Sequence, residues 1–110
     1  MKKSIAMKWI KALRSGKYKQ TTSNLKNDIG HCCLGVLCTL TPYKNNYTKM
    51  NSEDGVVNKN SVIPPKVRDY AGLNSNHGKL PSGISLADLN DAGKTFKEIA
   101  DLIEQNWEKL

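Results

Sequence analysis

The run His31-Cys32-Cys33-Leu34-Gly35-Val36-Leu37-Cys38-Thr39-Leu40 constrains the fold more than any other stretch. It is the densest apolar segment and holds all three cysteines of the chain. Read as a helix, Cys33, Val36, Leu37 and Leu40 fall at i, i+3, i+4 and i+7 and share one face. Read as a strand, apolar groups would occupy both faces, as in a doubly covered sheet. The length of the run and the stop at Pro42 favour a short buried helix. Gly35 costs a helix about 1 kcal/mol relative to alanine, so a closely approaching backbone is the expected reason for it.

The same run carries the sharpest chemical alternative. His31, Cys32, Cys33 and Cys38, with His77, are the right residue types for zinc. Structural zinc sites, however, space their cysteines so that two thiolates reach one ion from a turn. Adjacent Cys32 and Cys33 point in different directions from a helix or a strand. Buried apolar thiols are therefore expected, with no metal and no cofactor. A hydrolase using His31 or His77 beside a carboxylate, or a Cys–His catalyst, has no nucleophile signature behind it, so binding is expected rather than catalysis.

Around this centre, 110 residues suffice for one domain, 1–110, with a single modest core. No apolar run approaches the roughly 20 residues of a membrane span. Lys8 and Lys11 interrupt what a signal peptide would keep apolar. The odd cysteine count offers no disulfide framework, and a reducing, cytoplasmic setting is expected.

Charge is unevenly placed. Residues 2–26 contain Lys2, Lys3, Lys8, Lys11, Arg14, Lys17, Lys19 and Lys26 and no acid, whereas the rest of the chain nets −1 out of a total of +7. Such asymmetry draws anions: a nucleotide-like small molecule, nucleic acid, or an acidic protein surface.

Helical spacing of Ile5, Trp9, Ala12 and Leu13 predicts a first helix over 4–15, with Ser4 as cap and Gly16 as its left-handed end. Lys17 to Leu25 alternates as a half-exposed strand would. A weak hairpin is expected from Val56-Val57 and Val62-Ile63 around Asn58-Lys59-Asn60. Pro65 opens a short helix closed by Gly72. Ser85 and Asp88 have capping-box spacing, as do Thr95 and Glu98. Behind the latter, Phe96, Ile99, Ala100, Ile103 and Trp107 form an apolar stripe with acids Asp101, Glu104 and Glu108 outside it. The expected class is α+β: mainly helical, with N-terminal, central and C-terminal helices and a few short antiparallel strands.

Four segments stand in a familiar order: Ala-Leu-Arg-Ser-Gly-Lys-Tyr-Lys-Gln at 12–20, Cys-Cys-Leu-Gly-Val-Leu-Cys at 32–38, Pro-Pro-Lys-Val-Arg-Asp-Tyr-Ala-Gly-Leu at 64–73, and Leu-Asn-Asp-Ala-Gly-Lys-Thr-Phe-Lys-Glu-Ile-Ala-Asp at 89–101. Together they resemble a family of small proteins carried by phages and prophages. His31 stands where many members have an aromatic residue. The resemblance implies a phage-encoded protein in a bacterial cytoplasm, where such accessory proteins often block a host defence protein or sequester a nucleotide signal. Set beside the charge pattern, this predicts a non-enzymatic, homo-oligomeric binder of an anionic nucleotide-derived signal, with Lys17, Tyr18, Lys19, Gln20, Arg68 and Asn90 as its site. Direct inhibition of a host defence factor and nucleic-acid binding are the alternatives.

Overall fold

A computed structural model describes residues 1–43 and 62–110. Among these residues five helices occur in the order α1 (Lys3–Arg14), α2 (Cys33–Thr39), α3 (Pro65–Ala71), α4 (Leu86–Asp91) and α5 (Phe96–Asn106), the last running into a 3₁₀ turn at Trp107–Lys109.

The two longest helices make the frame. α1 buries Ile5, Ala6, Trp9, Ile10 and Leu13, and α5 buries Phe96, Ile99, Ala100 and Ile103. Each stripe recurs at three and four residues, so one face of each helix is apolar and the two pack against each other. Removing each large aliphatic side chain from water is worth about 1.5–3 kcal/mol. The polar faces also meet. Arg14 reaches across to Asp101 at 2.7 Å and Glu104 at 3.2 Å, which joins the basic helix to the acidic one within a single chain. The start of α5 follows the sequence pattern, with Thr95 and Glu98 closing a full capping box.

α2 lies between α1 and α4, and six successive residues, Cys33 to Cys38, are buried. A helix covered on every side cannot turn its first amides to water, so the protein must supply acceptors. Cys32 Sγ accepts from Gly35 N at 3.4 Å, and the Asn90 carboxamide accepts from Cys33 N at 3.1 Å. The backbone carbonyl of Cys33 takes the Trp9 indole N–H at 2.9 Å. α3 sits at the other end of the frame, where Lys2 N donates to Ala71 O at 2.9 Å and Gly72 ends the helix with φ +74°.

The α+β expectation is corrected here: among the described residues there is no strand. Only isolated single-residue bridges occur, Gln20 with His31, Lys26 with His31, and Lys79 with Ser85. Alternation in 17–25 did not become a strand because its side chains are used elsewhere. Gln20 turns onto the start of α5, and Ser23 takes a left-handed turn at φ +66°. The hairpin expected at Val56–Ile63 falls mostly outside the described residues; Ile63 itself is buried core in irregular backbone. Ser4 is not a cap either. α1 starts one residue earlier, from Lys2, with no side-chain cap.

Candidate functional site

The cationic surface is built by the end of α1 and the turn after it. Lys8 and Lys11, three apart, share a flank of the helix, and Ser15 follows one turn beyond Lys11. Gly16, at φ +75°, then folds the chain back, a conformation that costs a residue with a Cβ far more than glycine. Ser15 Oγ fastens that turn by donating to Ala12 O at 2.6 Å and accepting from Lys17 N at 3.2 Å. The result is a cleft of about 260 Å³ lined by Lys8, Lys11, Ser15, Lys17, Tyr18 and Leu40.

Tyr18 is the firm wall. Its ring meets the His31 ring edge-on at 5.5 Å, and its Oη lies 3.3 Å from Thr39 Oγ1 at the end of α2. His31 is held in turn by its backbone, donating to Lys19 O and accepting from Thr21 N, each at 2.8 Å. Burial first, and the nearby Lys26 charge second, push the His31 imidazole pKa below its ordinary value. Lys8, Lys11 and Lys17 form no ion pair among the described residues, whereas Arg14 is neutralised by Asp101 and Glu104. Among the described residues, no carboxylate lines this cleft. Three ammonium groups beside an aromatic and an aliphatic wall suit a ligand that is anionic at one end and flat and apolar at the other.

Of the six residues expected to form the site, Lys17 and Tyr18 line the cleft. Lys19 is exposed and is not part of the lining. Gln20 and Asn90 are brought together, but as internal fasteners. The Gln20 amide nitrogen donates to Asn90 Oδ1 at 2.9 Å and to Lys94 O at 2.6 Å, and its oxygen accepts from Phe96 N at 3.2 Å. Asn90 is fully buried and donates to Thr21 O at 2.8 Å. Beside it Asp91 accepts from Ser23 N at 2.8 Å. Arg68 pairs with its neighbour Asp69 on α3, which docks at the start of α1. Arg68 therefore sits at the opening of α1, whereas the cleft is lined from Lys8 onward and does not include it. Lys8, Lys11 and Leu40 were missed. The i, i+3 pair of lysines directed away from the Trp9 stripe, followed by Ser-Gly-Lys, was the signal for the first two.

The three cysteines are free and buried in the core. Burial raises all three thiol pKa values, that of Cys32 to about 11. Among the described residues, no three His, Cys, Asp or Glu side chains gather as a metal would require.

Fold and surface together define a small helical domain with a lysine-rich cleft on its N-terminal helix. The chain belongs to the family described as a domain of unknown function, DUF8296, whose model matches residues 1–107. Comparison with curated proteins and with solved structures gives no match. No helix among the described residues is long and apolar enough to cross a membrane.

Proposed function

We propose that this is a non-catalytic binding protein that holds an anionic, nucleotide-like small molecule in the cleft between α1 and Tyr18. One observation carries the reading: Lys8, Lys11 and Lys17 surround an aromatic-walled recess with no acid in it and no internal ion pair among the described residues. Phosphate oxygens are met by the ammonium groups, and a base or ribose by Tyr18 and Leu40. The setting that fits is a bacterial cytoplasm, with the protein carried by a phage and countering host defence by keeping a nucleotide signal occupied.

Titration calorimetry against mononucleotides, linear dinucleotides and cyclic nucleotides tests this. Binding is expected, with the ligand recovered unchanged afterwards, and Lys17→Glu is expected to abolish it. Silence across the panel from folded protein overturns the reading, and chemical conversion of the ligand overturns its non-catalytic part. Affinity should also fall with salt. Added salt screens the attraction between the three ammonium groups and phosphate, which isothermal titration over a salt series reads as a rising Kd.

A further inference from the structure

Across the ridge formed by Lys11, Ser15 and Lys17 lies a second recess, of about 580 Å³, whose other walls are Met7, Ile10, Arg14 and Glu104. The two hollows share those three ridge residues and therefore form one trough with a cationic bar across its middle. Their chemistry differs. Among the described residues, the Tyr18 side has lysines and no acid, whereas the Met7 side has an apolar floor, with Met7 38 % exposed, and the Glu104 carboxylate at its rim. Arg14 holds that carboxylate at 3.2 Å, so this end presents a closed ion pair beside an apolar floor and suits an uncharged ring better than a second phosphate. A methionine thioether is a polarizable surface on which a flat ring can rest.

Building on the reading above, we infer that the ligand is an oligonucleotide of at least two nucleoside units. One unit rests against Tyr18 and Leu40, the other on Met7, and a connecting phosphate sits on the Lys11–Lys17 ridge. The Tyr18 cleft alone falls just below the roughly 300–1,000 Å³ of ligand pockets, enough for one unit, while the whole trough holds two. Joining the units makes engagement of the second recess intramolecular, so the gain in affinity is at least about tenfold over a mononucleotide.

The test compares adenosine monophosphate and diphosphate with linear and cyclic diadenylates by calorimetry, on the full chain and on Met7→Ala. Met7 is outside the Tyr18 cleft and exposed on its helix, the substitution leaves the charge unchanged, and circular dichroism checks that the variant is folded. The expected result is a dinucleotide preference of about tenfold or more that Met7→Ala removes, leaving mononucleotide affinity as it was. Equal affinity for mono- and dinucleotides overturns the two-unit ligand and leaves the single cleft standing. A dinucleotide preference that survives Met7→Ala overturns the placement of the second unit. Absence of binding to every member of the series overturns the cleft reading and this inference with it.

Discussion

Replacing Asn90 with alanine tests the account of how α2 can be buried. The side chain is wholly covered and makes three hydrogen bonds: it accepts from Cys33 N and from Gln20 Nε2, and donates to Thr21 O. Alanine leaves the Cys33 amide and the Thr21 carbonyl inside the protein without those partners. Each buried polar group so orphaned costs about 1–3 kcal/mol, so the expected loss is about 3–5 kcal/mol, a large part of the 5–15 kcal/mol that holds a typical domain. Urea denaturation followed by circular dichroism should show it. With a slope of about 1–3 kcal/mol per molar, the midpoint falls by more than 1 M. Asn90→Asp separates hydrogen bonding from size, because it keeps both accepting positions but sets an oxygen against the Thr21 carbonyl and buries a charge. It should be at least as unstable at neutral pH and recover partly in acid, where the protonated carboxyl donates again. A double-mutant cycle with Gln20→Ala should give a coupling of about 0.5–3 kcal/mol. An alanine variant that loses less than about 1 kcal/mol refutes the role given to Asn90, because unmet amides at a buried helix start cannot be that cheap.

Other outcomes follow from single contacts. Gly30→Ala should prevent stable folding, because a Cβ there collides with the Lys19 backbone carbonyl, and the loss is measurable by thermal denaturation. Thr95→Ala removes the hydroxyl that accepts from Glu98 N and should cost about 1 kcal/mol in the same assay. Stability should also fall on acidification. The folded chain holds His31 below its ordinary pKa, so through the imidazole range, near about 6.5, the unfolded chain takes up the proton first and is favoured as pH drops. His31→Phe should flatten that part of the curve. At lower pH Glu98 adds to the loss, since hydrogen bonds from the Thr95 backbone and hydroxyl, then the Lys94 charge, hold its carboxyl pKa below the ordinary glutamate value. A thiol reagent at pH 8 should leave the native protein unlabelled and modify all three cysteines once it is unfolded. Rapid native labelling would contradict their burial.

The helices were legible where the code is local. The stripes of α1 and α5, Pro65 before and Gly72 after α3, and the spacing of Ser85–Asp88 and Thr95–Glu98 each lie within a few residues, and each helix appears where they put it. The buried helix at 33–39 was readable because apolar periodicity and Pro42 agreed. What could not be read depends on partners far along the chain. Gln20 and Asn90 looked like ligand-reading amides because an exposed amide and a buried one are identical as letters. Only a contact spanning 70 residues shows that they read the backbone instead. Lys17–Leu25 failed for the same reason, its alternation being consumed by hydrogen bonds to α4 and α5 rather than by a neighbouring strand. For the candidate site, charge asymmetry pointed to the end of the molecule where the proposed cleft lies. The turn at Gly16, which sets Lys17 and Tyr18 beside Lys8 and Lys11, reads in the sequence only as a helix stop.

The buried carboxamide of Asn90 also bears on how this protein would look to genetics. Tyr18 stands two residues before Gln20, and the segment they share is anchored by that internal side chain and its neighbour together with the His31 backbone. A screen for variants that lose binding of the proposed ligand would thus collect Asn90 and Gln20 alongside the lysines, and sequence position alone would group them as one binding motif. Measuring how much protein stays folded in each variant would split the set in two: those that hold the wall upright, and those that greet the guest.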